Sequence, residues 1–176
     1  MADVRVARPE EFALLGPLED QAGERFADIG MFLEAPVPVA DRGEVPLAVF
    51  VSGDPPVAFA WLSLVCGEPH IEEVAVLPSV GRRGIGRALV EASCRWAEQA
   101  RYRSVTLCTY RDVPWNGPFY RSAGFVELEP DAWCADLRAL RATERANGLD
   151  DLGPRVVMIR HLGQARTTGS TTSDGR

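Results

Sequence analysis

Apolar and polar positions along the chain change period in a regular order, and each change marks an element. Residues 3–7 alternate as a short strand, and from Pro9 to residue 29 Phe12, Leu15, Leu18, Ala22 and Phe26 recur at helical spacing, with an interruption expected at Gly16-Pro17. Residues 30–42 read as a helical turn and a loop rich in proline (Pro36, Pro38). The apolar runs 47–52 and 57–65 flank Gly53-Asp54-Pro55-Pro56, which predicts a hairpin, and residues 71–77 follow Gly67-Glu68-Pro69 as a third antiparallel strand. An amphipathic helix over 84–100 then crosses to a strand over 104–110, which is expected to lie parallel to 71–77. A short helix after Asn116 ends in Gly124 and turns into a strand over 125–128. A further helix is predicted from Pro130-Asp131 to residue 146, closed by Asn147-Gly148, and 155–162 alternates as a last strand. The domain is expected to span 1–162, and the Thr-, Ser- and Gly-rich residues 163–176 to form a disordered tail.

The turn between the third strand and the long helix reads Gly81-Arg82-Arg83-Gly84-Ile85-Gly86-Arg87. Glycines at a strand-to-helix turn let backbone approach a ligand closely, and the unpaired N–H groups of a helix start, with the dipole behind them, favour phosphate. The turn lacks the Lys-Ser/Thr of a nucleotide P-loop, and its GxxGxG order is the reverse of the dinucleotide fingerprint. Two arginines add charge suited to a pyrophosphate or a ribose phosphate.

About thirty residues on stands Asn116-Gly-Pro-Phe119-Tyr120-Arg-Ser-Ala-Gly124-Phe125. With Val74-Ala75-Val76 before the cradle and YxxxGF after it, the region from His70 to Leu128 resembles the core of the GNAT superfamily of acetyl-CoA dependent N-acetyltransferases. The resemblance implies an α/β (α+β) fold with a mixed central sheet of about seven strands, splayed between the fourth and fifth and flanked by helices. It also implies attack of an acceptor amine on the thioester of acetyl-CoA, with no metal. Cofactor contacts then fall to Val74, Ala75 and Val76 for the pantetheine arm, to Arg82, Arg83, Gly84, Ile85, Gly86 and Arg87 for the pyrophosphate, and to Asn116. Two positions depart from the family pattern: Gly81 stands where Gln or Arg is usual, and Val113 replaces an asparagine often found seven before the tyrosine.

Within that resemblance Tyr120 is the candidate general acid, because a phenol is protonated at neutral pH and can return a proton to the leaving thiolate. Asp112-Val113-Pro114 is expected to cap its helix. The base that deprotonates the acceptor is expected on the strand beside the thioester. Strict alternation sends Glu72 and Glu73 to opposite faces, Glu72 sharing parity with Val74 and Val76; Glu72 is preferred, with Glu73 and His70 as alternatives. Asp20, Glu24, Asp28 and Glu34 form an acidic series that either attracts an amine or is a solvated face, and Phe26, Met31, Phe32 and Trp115 are candidates for an apolar acceptor wall.

Composition narrows the classes. The 176 residues are 46% hydrophobic, enough for one good core, and the net charge of −6 without a basic block disfavours nucleic acid and mildly favours a cationic acceptor. No apolar run approaches a membrane span and no signal core opens the chain, so a cytoplasmic protein without membrane contact is expected. Cys66, Cys94, Cys108 and Cys134 show no CxxC pairing and are expected to be free thiols. The expected acceptor is a small-molecule primary amine. The competing readings are a protein lysine or N-terminal acetyltransferase, a regulatory acyl-CoA-binding domain without turnover, and, least, an RNA-acting enzyme. The helix inserted before the last strand is expected to cover the acceptor site or to form a homodimer contact.

Overall fold

A computed structural model describes residues 3–32, 37–43 and 45–163; Glu34, Pro36 and the expected tail beyond residue 163 lie outside the described residues. Seven strands form one mixed sheet: β1 (Val4–Val6), β2 (Ala48–Ser52), β3 (Ala58–Val65), β4 (Glu68–Val76), β5 (Ser104–Tyr110), β6 (Val126–Glu127) and β7 (Arg155–His161), in the order β1-β2-β3-β4-β5-β7-β6. All neighbours are antiparallel except β4 and β5, which are joined by the crossover helix α2 (Ile85–Gln99). This is the mixed sheet of seven strands that the resemblance implies, with the parallel pair that the sequence pattern predicts.

Each face of the sheet has its own core. α2 buries Leu89, Val90, Cys94 and Ala97 against Ala58, Ala60, Leu62, Ile71, Val105 and Leu107. On the opposite face α1 (Phe12–Gly23) buries Leu15, Leu18 and Ala22 against Val49, Val51, Phe59, Trp61 and Ala75. Fully burying a side chain of this size contributes about 1.5–3 kcal/mol, which explains a departure from expectation. α1 runs unbroken through Gly16-Pro17, with Pro17 exposed, because the three apolar anchors on either side of the proline hold the helix against the loss of one backbone bond.

Three other boundaries differ from the sequence pattern. β4 begins at Glu68, because Cys66 and Gly67 both adopt positive φ (56° and 75°) and make a two-residue hairpin turn. The helix expected from residue 130 is a 3-10 turn (Pro130–Ala132) followed by extended Trp133 and Cys134, and α4 proper covers Ala135–Ala146. Trp133 leaves the helical path because its indole N–H donates to the Leu128 carbonyl at 2.8 Å. Finally, Asp112 caps no helix: α3 spans Gly117–Ser122 with Asn116 at its N-cap. Gly117 fits only as glycine, since a Cβ there would lie 2.1 Å from the Arg111 carbonyl oxygen.

α4 packs Leu137 on Val65 and Val157, and this docking brings Cys134 to the β3–β4 turn. Cys66 and Cys134 form a disulfide with Cα atoms 6.4 Å apart, so the expectation of four free thiols is corrected to two, Cys94 and Cys108. Sixty-eight residues separate the pair, a contact no local spacing could reveal.

Candidate active site

β4 and β5 pair only at His70↔Thr106 and Ile71↔Leu107, although β4 continues to Val76 and β5 to Tyr110. Past Ile71 the two strands are unladdered. Leu77 N–H donates to the Val57 carbonyl, and pairing with β3 continues through Ala75↔Phe59. Antiparallel bonding alternates along a strand, so Ala75 bonds to β3 while the N–H and C=O groups of Val74 and Val76 face the split. Of the three expected pantetheine contacts, Val74 and Val76 therefore turn backbone toward the split, the Val74 N–H already donating to the Glu73 side chain, and Ala75 is turned away, its side chain buried under α1.

The cradle opens beside this split. Arg82 and Gly84 both have positive φ (61° and 77°), a sequence of conformations that turns successive N–H groups to one side. Ala88 is the first residue of α2 whose N–H finds a helical acceptor, the Gly84 carbonyl, so the N–H groups just before it remain open. Arg82 and Arg83 are exposed and make no ion pair among the described residues. Arg87 donates to Ser122 Oγ at 2.6 Å and lies 5.9 Å from the Phe119 ring, tying α2 to α3. A Cβ at Gly86 would meet Val76 at 3.6 Å and Phe119 at 3.8 Å, so the cradle and the split share one wall. Asn116 lies at the N-cap of α3 with its Oδ1 buried and unpartnered among the described residues.

Tyr120 projects from α3 into the core on the α2 side, its ring held edge-on by Phe119 (5.0 Å) and Phe125 (5.8 Å). Burial, reinforced by the negative charge of Glu73, holds its phenol above the ordinary tyrosine pKa. The hydroxyl is thus a proton donor across the neutral range.

The glutamates do not alternate as expected. β3 and β4 slip by one residue, from Trp61↔Glu73 to Leu62↔Ile71, leaving Glu72 as the extra residue of a β-bulge. Glu73 stands opposite Trp61, and Glu72 accepts a hydrogen bond from Ser63 Oγ, two residues along the same face of β3. Both carboxylates therefore lie on the α1 side of the sheet, and neither shares a face with Val74 and Val76. Burial raises the Glu72 pKa, opposed by Ser63. Glu73 accepts from the Val74 N–H at 3.1 Å, one of the groups facing the split, and burial together with nearby Glu19 of α1 raises its pKa.

His70 is fully buried where the two strands are still zipped, and its Nδ1 is 2.8 Å from Thr106 Oγ1. Burial lowers its pKa to about 4, against a small opposing effect of Glu144, so it is neutral at pH 7. Phe26 contacts Trp115 (5.6 Å) and Tyr110 (6.0 Å), whereas Phe32 is exposed. A cavity of ≈ 330 Å³ beside Tyr110 is lined by Ile29, Met31, Asp112 and the 152–154 segment. A larger one of ≈ 570 Å³ lies between α4 and the strands β6 and β7, away from the split. Asp20, Glu24 and Asp28 are exposed. Ser63, Glu19 and Thr106 were invisible in the sequence, because only the strand register and the docking of α1 bring them to the glutamates and His70. Among the described residues no cluster suits a metal ion, and no helix is long and apolar enough to cross a membrane.

Comparison with known proteins agrees with this architecture. Residues 45–127 match the family model described as an acetyltransferase (GNAT) domain. The fold is similar to the ribosomal-protein-S18-alanine N-acetyltransferase from Escherichia coli, with 19% identity, 96% of this chain and 98% of that one covered, and a TM-score of 0.62. It is also similar to an acetyltransferase of the GNAT family from Staphylococcus aureus Mu50, with 12% identity, 93% and 100% covered, and a TM-score of 0.69. A third similar structure is the PaiA N-acetyltransferase from Thermoplasma acidophilum in complex with coenzyme A, with 12% identity, 92% and 99% covered, and a TM-score of 0.64.

Proposed function

Because the chain belongs to the GNAT superfamily of acyltransferases, we propose that it transfers the acetyl group of acetyl-CoA to the primary amine of a small molecule by direct attack. The observation that carries this reading is the open β4–β5 split, with the backbone of Val74 and Val76 turned toward it, adjoining a cradle of N–H groups and two arginines that have no partner among the described residues. The residues fit the donor: Arg82, Arg83 and the N–H groups over 84–87 would hold its pyrophosphate, and Val74 and Val76 its pantetheine arm. Bound coenzyme A occurs in the Thermoplasma neighbour. Acetyl-CoA would supply an acyl group activated as a thioester.

The chain's own groups divide the remaining work. Tyr120 supplies a proton toward the leaving sulfur. Glu72, oriented by Ser63 on the acceptor side, takes the proton of the incoming ammonium. Glu73, whose carboxylate occupies the Val74 N–H, gives up that donor when a carbonyl oxygen takes its place, and the freed N–H then stabilises charge on that oxygen. A protein amine is the alternative acceptor, the kind named for the Escherichia coli neighbour; the ≈ 330 Å³ cavity beside Tyr110 is of a size for a small molecule.

Calorimetric titration of acetyl-CoA followed by thiol release with free amines and with peptides tests the reading. Saturable binding with release driven by a free amine is expected; release by peptides alone would transfer the assignment to a protein acceptor, and absence of binding would end it.

For the base, Glu72→Gln is expected to lower kcat/KM by roughly tenfold or more near neutral pH. Ionised Glu72 is the active form and its pKa is raised. Wild-type activity should therefore fall as pH drops through the elevated carboxylate range. The variant should lose that limb and recover at alkaline pH, where the amine arrives deprotonated. A loss independent of pH would assign Glu72 to binding instead.

A further inference from the structure

Arg25 follows α1 in the 3-10 turn Glu24–Ile29 and lays its guanidinium on the face of Trp115, 3.9 Å from the ring centroid. The side chain is half-buried, yet among the described residues it has no carboxylate partner and no hydrogen bond. Burial alone lowers its pKa, with no acidic group opposing. Arginines elsewhere that lose comparable solvent are compensated: Arg141, Arg155 and Arg160 all bond to carboxylates. A desolvated cation held flat by an aromatic ring, with its N–H edge unspent, is arranged for an anion.

Its surroundings repeat the same deficit. Among the described residues the Trp115 indole N–H is buried without an acceptor, and so is the hydroxyl of Tyr110, a residue only 4% exposed. Arg155 lies over the Tyr110 ring at 4.7 Å, and a guanidinium can only donate to the phenol oxygen, so the O–H proton of Tyr110 stays unspent. Phe26 touches both rings and joins the three donors into one cluster. Tyr110 ends β5, beside the split, and borders the ≈ 330 Å³ cavity, whose only carboxylate, Asp112, is exposed. Guanidinium, indole N–H and phenol can all donate, and no described protein oxygen accepts from them.

We propose that Arg25, with Trp115 and Tyr110, binds a carboxylate of the acceptor, which makes the substrate an amino acid whose amine faces the bulged glutamates of β4. This rests on the acetyltransferase reading above. The glutamates favour the ammonium end and the Arg25 cluster the carboxylate end, so the two charges of a zwitterion are matched at separate points of one face.

The test does not require turnover. Calorimetry with a panel of N-acetylated amino acids, each paired with its C-terminal carboxamide, reads the carboxylate directly. At least one acid is expected to bind about tenfold or more tightly than its amide, in keeping with a charge-assisted bond. Arg25→Gln, which keeps much of the stem over Trp115, is expected to erase that difference while acetyl-CoA affinity stays at the wild-type level. Equal binding of every acid and its amide by the wild-type protein, or a preference that survives Arg25→Gln, would overturn the proposal. Failure of acetyl-CoA to bind would instead overturn the acetyltransferase reading, which the separate titration reports.

Discussion

Leucine in place of Gly86 is expected to weaken acetyl-CoA binding by about 10- to 100-fold, the equivalent of the ~1–3 kcal/mol that overpacking a fitted site costs. A Cβ at this position makes ordinary contacts, 3.6 Å to Val76 and 3.8 Å to Phe119, so alanine should be accommodated with little loss. Leucine's further carbons have to occupy the passage between those two side chains, which is also the passage from split to cradle. The side chain can swing into that open groove in the free protein, so thermal unfolding should change by no more than a few degrees. The measurement is calorimetric titration of acetyl-CoA into wild type, Gly86→Ala and Gly86→Leu. Graded loss in that order is the expected result; wild-type affinity in Gly86→Leu would mean that the donor does not use the wall shared by α2, β4 and α3.

Gly86 was legible in the sequence for a reason that does not extend to the acceptor side. The cradle is local: its glycines, arginines and the following helix lie within a few residues, so spacing alone carries the geometry. The antiparallel run of β2, β3 and β4 and the parallel β4–β5 pair were legible too, because apolar period and turn chemistry fix hairpins, and a parallel pair demands a crossover; the place of β7 between β5 and β6 was not. The faces of Glu72 and Glu73 were not. Alternation assigns a face only where pairing is regular, and one bulge opposite Trp61 and Leu62 puts both carboxylates on the same side. The Cys66–Cys134 bridge was hidden for a similar reason, as it depends on where α4 docks. So was the Arg25 cluster: Arg25, Tyr110 and Trp115 come from two distant stretches of chain and meet around Phe26. Local grammar thus accounts for the cradle proposed to hold the donor, whereas the groups proposed for the acceptor side meet only through tertiary contacts.

Tyr120→Phe separates proton supply from every other contribution of that side chain. The ring is fixed by Phe119, Phe125 and the α2-side core, all of which phenylalanine retains. Loss of the hydroxyl should therefore leave the fold and acetyl-CoA affinity unchanged while kcat falls by about 10²-fold, the lower range for a positioned general acid and close to 2.7 kcal/mol of barrier. The protonation state of the phenol fixes the pH behaviour. Burial and the charge of Glu73 raise the Tyr120 pKa, so the acidic form persists as pH rises through the range where a free tyrosine ionises. Wild-type kcat should consequently show no alkaline decline below that range, and the phenylalanine variant should be depressed by the same factor across it. Steady-state kinetics between mildly acidic and alkaline pH, paired with calorimetry of the donor, distinguishes the outcomes. Unchanged kcat would remove Tyr120 from proton transfer, and a raised donor Kd with unchanged kcat would make the hydroxyl a binding contact. A variant that loses kcat alone, equally at every pH, is the signature of a phenol that acts only after the donor and acceptor are both in place.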